Sequence, residues 1–85
     1  MKDVCSFCGN EHFVAKKVQY IYRHDGRFFV VNGVPCEECT YCGERYYDGP
    51  VLERIESEFV RIYGEGKKPK AEISVPVEDF NDVPA

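Results

Sequence analysis

Two short stretches decide the fold: Cys5-Ser6-Phe7-Cys8-Gly9 and Cys39-Thr40-Tyr41-Cys42-Gly43. Both have the form Cys-x-x-Cys-Gly, with an aromatic residue directly before the second cysteine. Two intervening residues let both sulfur atoms of a turn face a single ion, and the glycine permits the left-handed backbone that such a turn needs. Four thiolates in two pairs make the closed tetrahedral set that suits zinc. The pattern therefore predicts one structural Zn²⁺, held by Cys5, Cys8, Cys39 and Cys42.

The fifth cysteine makes the second pair ambiguous, because Cys36 and Cys39 also have a Cys-x-x-Cys spacing. The position of glycine favours Cys39 and Cys42 as the second ligand pair, because Gly43 directly follows Cys42 just as Gly9 directly follows Cys8. Cys36 is then a small buried or half-exposed side chain, with a redox-sensing thiol as the alternative. Iron remains the alternative to zinc, since rubredoxin-type electron carriers also use paired Cys-x-x-Cys-Gly turns.

The chain has 85 residues, and a chain this short buries only about 60% of the surface that it exposes when unfolded. A metal would compensate for the small core. Met1-Lys2-Asp3-Val4 leads directly to the first cysteine without an apolar leader, and no apolar stretch approaches the roughly 20 residues that cross a bilayer. We therefore expect a cytoplasmic protein without a membrane partner, whose paired cysteines bind metal instead of forming disulfides.

Charge and motifs argue against several functions. With 11 basic and 15 acidic side chains the formal net charge is −4, which repels phosphate backbones and favours basic partners. We find no nucleophile beside a base and no glycine-rich phosphate loop, and the ligand set leaves no open metal position, so we expect no enzyme. His24 is expected at a solvated turn, His12 on the surface or as a donor near the metal, and Glu37 and Glu38 facing solvent.

Residues 12–34 are predicted to form a β-hairpin. Val18, Tyr20 and Tyr22 alternate with polar residues, as in a strand with one buried face. Asp25 and Gly26 then form the dipeptide most typical of a two-residue hairpin turn. The return arm, residues 28–31, is apolar on both faces, so the pattern does not say which side chains face inward.

A helix is predicted after the second cysteine turn. Asp48 can cap it, Pro50 lies in its first turn, and Gly64 follows its end. Its apolar stripe consists of Leu52, Ile55, Phe59, Ile62 and Tyr63. We expect this stripe to pack over the hairpin and close a small core.

The last segment differs in composition. Residues 64–70 are typical of a linker, and Ile73, Val75 and Val77 then alternate with polar residues and Pro76, which allows only an edge strand. The predicted fold is thus a small α+β zinc-stabilised domain resembling a zinc ribbon. Two Cys-x-x-Cys-Gly knuckles flank an antiparallel hairpin, followed by one amphipathic helix. Residues 1–63 form the zinc-binding domain, and residues 64–85 form a linker and a strand-like tail.

The order of these motifs resembles the YgiT-type zinc-finger family, best known as the N-terminal domain of MqsA antitoxins. The resemblance covers residues 5–63 and is most specific over 34–56. It is carried by Val34-Pro35, Cys42-Gly43-Glu44, Tyr46-Tyr47-Asp48 and Glu53-Arg54-Ile55-Glu56. It implies that Cys5, Cys8, Cys39 and Cys42 hold structural zinc, and that the domain binds and blocks a basic ribonuclease toxin. The MqsA helix-turn-helix domain has no counterpart before Ala85, so direct DNA binding is not expected.

Three functions remain open. The first is an antitoxin that neutralises a small basic toxin, with its tail adding a strand to the partner's sheet. The tail alternatively pairs with its own hairpin or with a second copy, giving a homodimer. The second is a nucleic-acid-binding zinc ribbon, with stacking aromatic residues and phosphate-binding cations. These are Tyr20, Tyr22, Phe28, Phe29, Lys16, Lys17, Arg23 and Arg27. The third is electron transfer through iron.

Overall fold

The computed structural model describes residues 3–84. Its elements are strands β1 (Phe13–His24), β2 (Arg27–Cys39) and β3 (Arg45–Tyr46), helix α1 (Gly49–Gly64), and a short 3₁₀ helix (Phe80–Asp82). The strands form one antiparallel sheet in the order β1-β2-β3. The coarse prediction of a small α+β domain with a hairpin and one helix is confirmed.

The hairpin turns at the predicted dipeptide. Asp25 and Gly26 have φ values of 51° and 74°, and two successive positive values are typical of the type I′ turn that matches the twist of paired strands. The return strand is longer than predicted. It continues until Phe13 lies opposite Cys39, so both cysteine turns meet at the open end of the hairpin.

A β-bulge interrupts the hairpin at its middle. Val18 lies opposite Val34 but Tyr20 lies opposite Val31, so β2 carries one extra residue in this interval. Gly33, in this interval, has a φ of 69°. Opposite residues share a face of the sheet, so the odd-numbered residues of β2 before the bulge lie on the same face as the even-numbered residues after it.

The helix packs on that face, as its apolar stripe predicted. Ile55 and Phe59 are buried, and the Phe59 ring meets the ring of Tyr22 edge-on at a centroid distance of 4.8 Å. Tyr20 makes a similar contact with Tyr47, just before the helix, at 5.0 Å. These aromatic contacts attach the helix to the hairpin.

The ends of the helix differ partly from the prediction. Asp48 occupies the N-cap position, and its main-chain carbonyl accepts the N–H groups of Val51 and Leu52. The C-terminal assignment was wrong, because Gly64 is still helical. Gly66 takes the left-handed conformation instead, with a φ of 75°.

The tail is not a strand of this sheet. Residues 71–79 have no regular secondary structure, and Ile73, Val75 and Val77 are 72%, 66% and 88% exposed. The alternative in which the tail pairs with its own hairpin is therefore wrong for this structure. Three alternating apolar side chains project into solvent beyond the helix.

Candidate metal centre

The structure brings the four predicted ligands together. The sulfur atoms of Cys5, Cys8, Cys39 and Cys42 all lie within 4.8 Å of one another. Two pairs are closer, with 3.6 Å between the Sγ atoms of Cys5 and Cys42 and 3.5 Å between those of Cys8 and Cys39. Tetrahedral zinc with Zn–S bonds of about 2.3 Å separates its sulfur ligands by about 3.8 Å. The cluster can therefore hold a metal ion, and its donor set fits zinc.

The two cysteine turns share one main-chain geometry. The Gly9 N–H donates to the Cys5 carbonyl at 2.8 Å, and the Gly43 N–H donates to the Cys39 carbonyl at 3.1 Å. The two glycines have nearly equal φ values of 80° and 79°. A residue with a side chain is strained at such φ values, which explains why glycine follows each cysteine pair.

Each turn has one inner and one outer cysteine. Cys5 and Cys39 are 2% and 1% exposed, whereas Cys8 and Cys42 are exposed. The inner sulfur atoms lie where the hairpin and β3 converge. A bound ion would thus be covered by protein on one side only.

Two side chains donate hydrogen bonds to the inner sulfur atoms. The Tyr46 hydroxyl lies 3.3 Å from the Cys5 Sγ and accepts the Ser6 N–H at 3.0 Å, which leaves its own proton for the sulfur. Asn10 Nδ2 donates to the Cys39 Sγ at 3.4 Å. Such donors stabilise negative sulfur and orient a metal ligand.

The surroundings lower the pKa values of the inner thiols, Cys5 and Cys39, and raise those of the outer thiols, Cys8 and Cys42. The Tyr46 hydrogen bond lowers the pKa of Cys5. Burial would raise the pKa of Cys39, but main-chain N–H groups of the turn and the Asn10 amide outweigh it and lower that pKa to about 6. Cys42 accepts from the Glu44 N–H, which lowers its pKa, yet burial and the neighbouring cysteine sulfurs together raise it to about 12. A cation bound among the sulfurs would favour the ionised form of all four thiols.

Sequence reasoning did not identify Tyr46 and Asn10 as donors. Tyr46 lies in β3, which brings it back over the first turn, and its ring packs edge-on against Phe13 at 5.8 Å. Their only signal is position: Asn10 follows the first knuckle by one residue, and Tyr46 follows the second by three. His12 lies on the surface, as expected, and its main-chain carbonyl accepts the Thr40 N–H and hydroxyl at 3.1 and 3.0 Å.

Cys36 and Glu38, which precede Cys39 in β2, lie in different surroundings. Cys36 is buried at 7% exposure and lies opposite Lys16, outside the sulfur cluster. The expectation that Glu38 faces solvent was wrong. Its carboxylate accepts from Lys16 at 2.7 Å and Arg45 at 3.0 Å, and these partners, Lys16 first, lower its pKa. This ion-pair network ties β3 to the hairpin beside the metal centre.

The residues suggested for nucleic-acid binding do not form one surface. Tyr20, Tyr22 and Phe29 are half-buried, the two tyrosines against aromatic rings, and only Phe28 remains exposed. Among the cations, Lys16 is engaged by Glu38, and the Arg27 guanidinium lies 5.4 Å from the centre of the Tyr63 ring.

No protein-family model, no curated protein and no solved structure matches this chain. The YgiT-type assignment therefore stays a prediction from motif order. Among residues 3–84, no helix is both long enough and apolar enough to span a bilayer.

We predict that Cys39→Ser lowers the metal content below one zinc per chain, because it removes an inner thiolate. Cys36→Ser is the matched control, since Cys36 is also buried but lies outside the cluster, and it should retain one zinc. Elemental analysis together with native mass spectrometry measures both. Equal loss of metal from the two variants would contradict the assignment of the ligands.

We also predict that Tyr46→Phe weakens zinc binding by about 10- to 100-fold, the usual effect of removing a donor to a metal ligand. The ring is retained, so the packing on Phe13 should persist while the hydrogen bond to Cys5 is lost. Competition with a chromophoric chelator measures the affinity. Tyr41→Phe is the control, since Tyr41 is 83% exposed in the second turn. An unchanged affinity in Tyr46→Phe would show that the hydroxyl does not support the site.

Proposed function

We propose that this protein is a structural-zinc protein-binding module, and specifically the antitoxin of a toxin–antitoxin pair that binds and neutralises a small basic toxin. The observation that carries the proposal is the exposed apolar tail. Motif order, charge and the closed ligand set support it.

The tail has the composition of a segment that is ordered against another protein. Besides the three alternating aliphatic side chains, Phe80 is 88% exposed. Burying a side chain of this kind contributes about 1.5–3 kcal/mol, so several of them together provide substantial binding energy. Main-chain groups of residues 73–77 are available to extend a partner's sheet, with alternate side chains entering its pockets.

The charge of the tail favours a basic partner. Glu72 directly precedes the apolar residues, Glu78, Asp79 and Asp82 follow them, and the whole chain carries −4. Complementary charge accelerates association and selects among partners more than it adds affinity. A basic ribonuclease of the kind that the family resemblance implies has this chemistry.

The metal acts in this proposal as a structural element. Four cysteine ligands complete a tetrahedral zinc site and leave no position for a substrate. The site holds the two ends of the hairpin together, and the hairpin in turn supports the helix from which the tail emerges. Zinc thus maintains the scaffold, and the tail makes contact with the partner.

Native mass spectrometry of the protein co-expressed with the product of the adjacent gene tests the proposal. We expect a complex that contains one zinc per copy of this chain and a small basic protein. Truncation after Lys70 should abolish the complex but leave the zinc in place, because residues 71–79 make no part of the sheet. A partner retained by the truncated chain would contradict the role of the tail, and the absence of any partner would contradict the antitoxin assignment.

A further inference from the structure

A groove of about 500 Å³ separates the edge of β2 from α1. Phe29, Val31, Val34, Val51 and Ile55 supply much of its apolar lining, and polar and charged side chains line the rest. Val34 and Ile55 are buried, whereas Phe29, Val31 and Val51 are only half-buried. The groove therefore offers apolar surface beside the edge of a strand.

The edge of β2 along this groove can accept another strand. β3 pairs only with Glu37 and Glu38, so among the described residues no strand pairs with the outer side of residues 27–36. In a hairpin with a two-residue turn, the main-chain groups of Phe28, Val30 and Asn32 point away from β1. The Phe28 carbonyl accepts the Tyr63 hydroxyl at 2.5 Å, which agrees with this direction. Val30 and Asn32 follow it along the groove.

The tail has the periodicity that this edge requires. In an extended strand Ile73, Val75 and Val77 place their side chains on one face and their main-chain hydrogen-bonding groups on one edge. Pro76, which lacks an N–H, then falls on the opposite edge, where no bond is lost. Five residues extend over about 17 Å, which matches an equal number of residues on β2. In the parallel direction, each of the three aliphatic residues bonds to the outward-pointing groups on either side of an odd-numbered residue of β2, such as Phe29 or Val31, and its side chain lies beside that residue on the face of the groove.

The charges of the groove and of the tail are also complementary. The rim of the groove carries Arg54, Arg61, Lys67 and Glu58, and Glu58 is paired with Lys67 at 2.5 Å and with Arg61 at 3.4 Å. The rim is thus net positive, and the tail presents Glu72, Glu78 and Asp79 around its apolar residues. A second depression, of about 550 Å³ on the outer face of α1, has Val60 as its one apolar side chain and is lined by Glu53, Glu56 and Glu65. It would repel the tail.

The tail of the same chain does not occupy the groove, because residues 71–79 are exposed and unpaired with any strand. We propose that the groove of one copy accepts residues 73–77 of a second copy as an additional strand on β2. Reciprocal exchange places the same contact twice around a two-fold axis and closes a homodimer. This proposal does not depend on the toxin, although a partner that captures the tail would compete with the dimer.

Sedimentation velocity of the zinc-loaded full chain, without any other protein, tests the proposal over a range of concentrations. We expect a monomer–dimer equilibrium, and we expect Val75→Asp to raise the dimer dissociation constant by about tenfold or more, since a buried apolar contact becomes charged. Val75 is exposed in the single chain, so the fold should not change. Val60→Asp, the same change on the outer face of α1, is the control and should dimerise like the natural chain.

Charge reversal locates the contact on the groove. Arg54→Glu should weaken the dimer, and combining it with Glu78→Lys should restore part of the affinity. A natural chain that is monomeric at all concentrations would overturn the proposal, as would a dimer unaffected by Val75→Asp. A monomer whose groove amides shift in NMR spectra upon Val75→Asp would also overturn it, because the tail would then occupy its own groove. None of these results bears on binding to a different protein, which the co-expression experiment measures separately.

Discussion

The convergence of four sulfur atoms is the interaction on which the rest of the structure depends. Cys8 and Cys39 are 31 positions apart in the sequence, yet their sulfur atoms lie 3.5 Å from each other. Their thiolates repel one another unless a cation neutralises them, and ordering the intervening chain costs conformational entropy. The buried apolar core consists of Cys5, Val34, Cys36, Cys39, Ile55 and Phe59. Two of these six, Cys5 and Cys39, belong to the metal centre, so it forms a third of this core.

Strand β2 connects this metal centre to a second region of packing. At one end it contributes Cys39, and near the other end the contact of Phe59 with Tyr22 and the hydrogen bond from the Tyr63 hydroxyl to the Phe28 carbonyl attach the helix to the hairpin. The helix packs on one face of the hairpin, and a groove lies between α1 and β2. The metal centre thus lies at one end of the hairpin, and the helix leads into an exposed segment with three apolar side chains. A scaffold of this kind suits binding to other protein chains.

The sequence determines some of these features through local rules and others only through tertiary packing. The knuckles, the turn at Asp25 and Gly26 and the helical stripe depend on neighbouring residues, and they could be predicted. The bulge at Gly33 could not, because the apolar run before it has no alternation from which a change of face could be detected. Tyr46 and Glu38 have their roles only once β3 pairs with β2, and that two-residue strand has no pattern of its own. Gly64 closes the helix as its last residue and Gly66 takes the left-handed conformation beyond it, a choice that the sequence leaves open because it offers both glycines.

X-ray absorption at the zinc edge of the purified full chain tests the four-cysteine zinc site, since it reports the metal and its ligands together. We expect a zinc edge and a first shell of four sulfur atoms at about 2.3 Å, with no nitrogen or oxygen. The Cys36→Ser variant should give the same spectrum. A mixed shell, in which a nitrogen or oxygen ligand replaces one of the sulfurs, would contradict a closed four-cysteine site, and an iron edge would contradict the choice of metal.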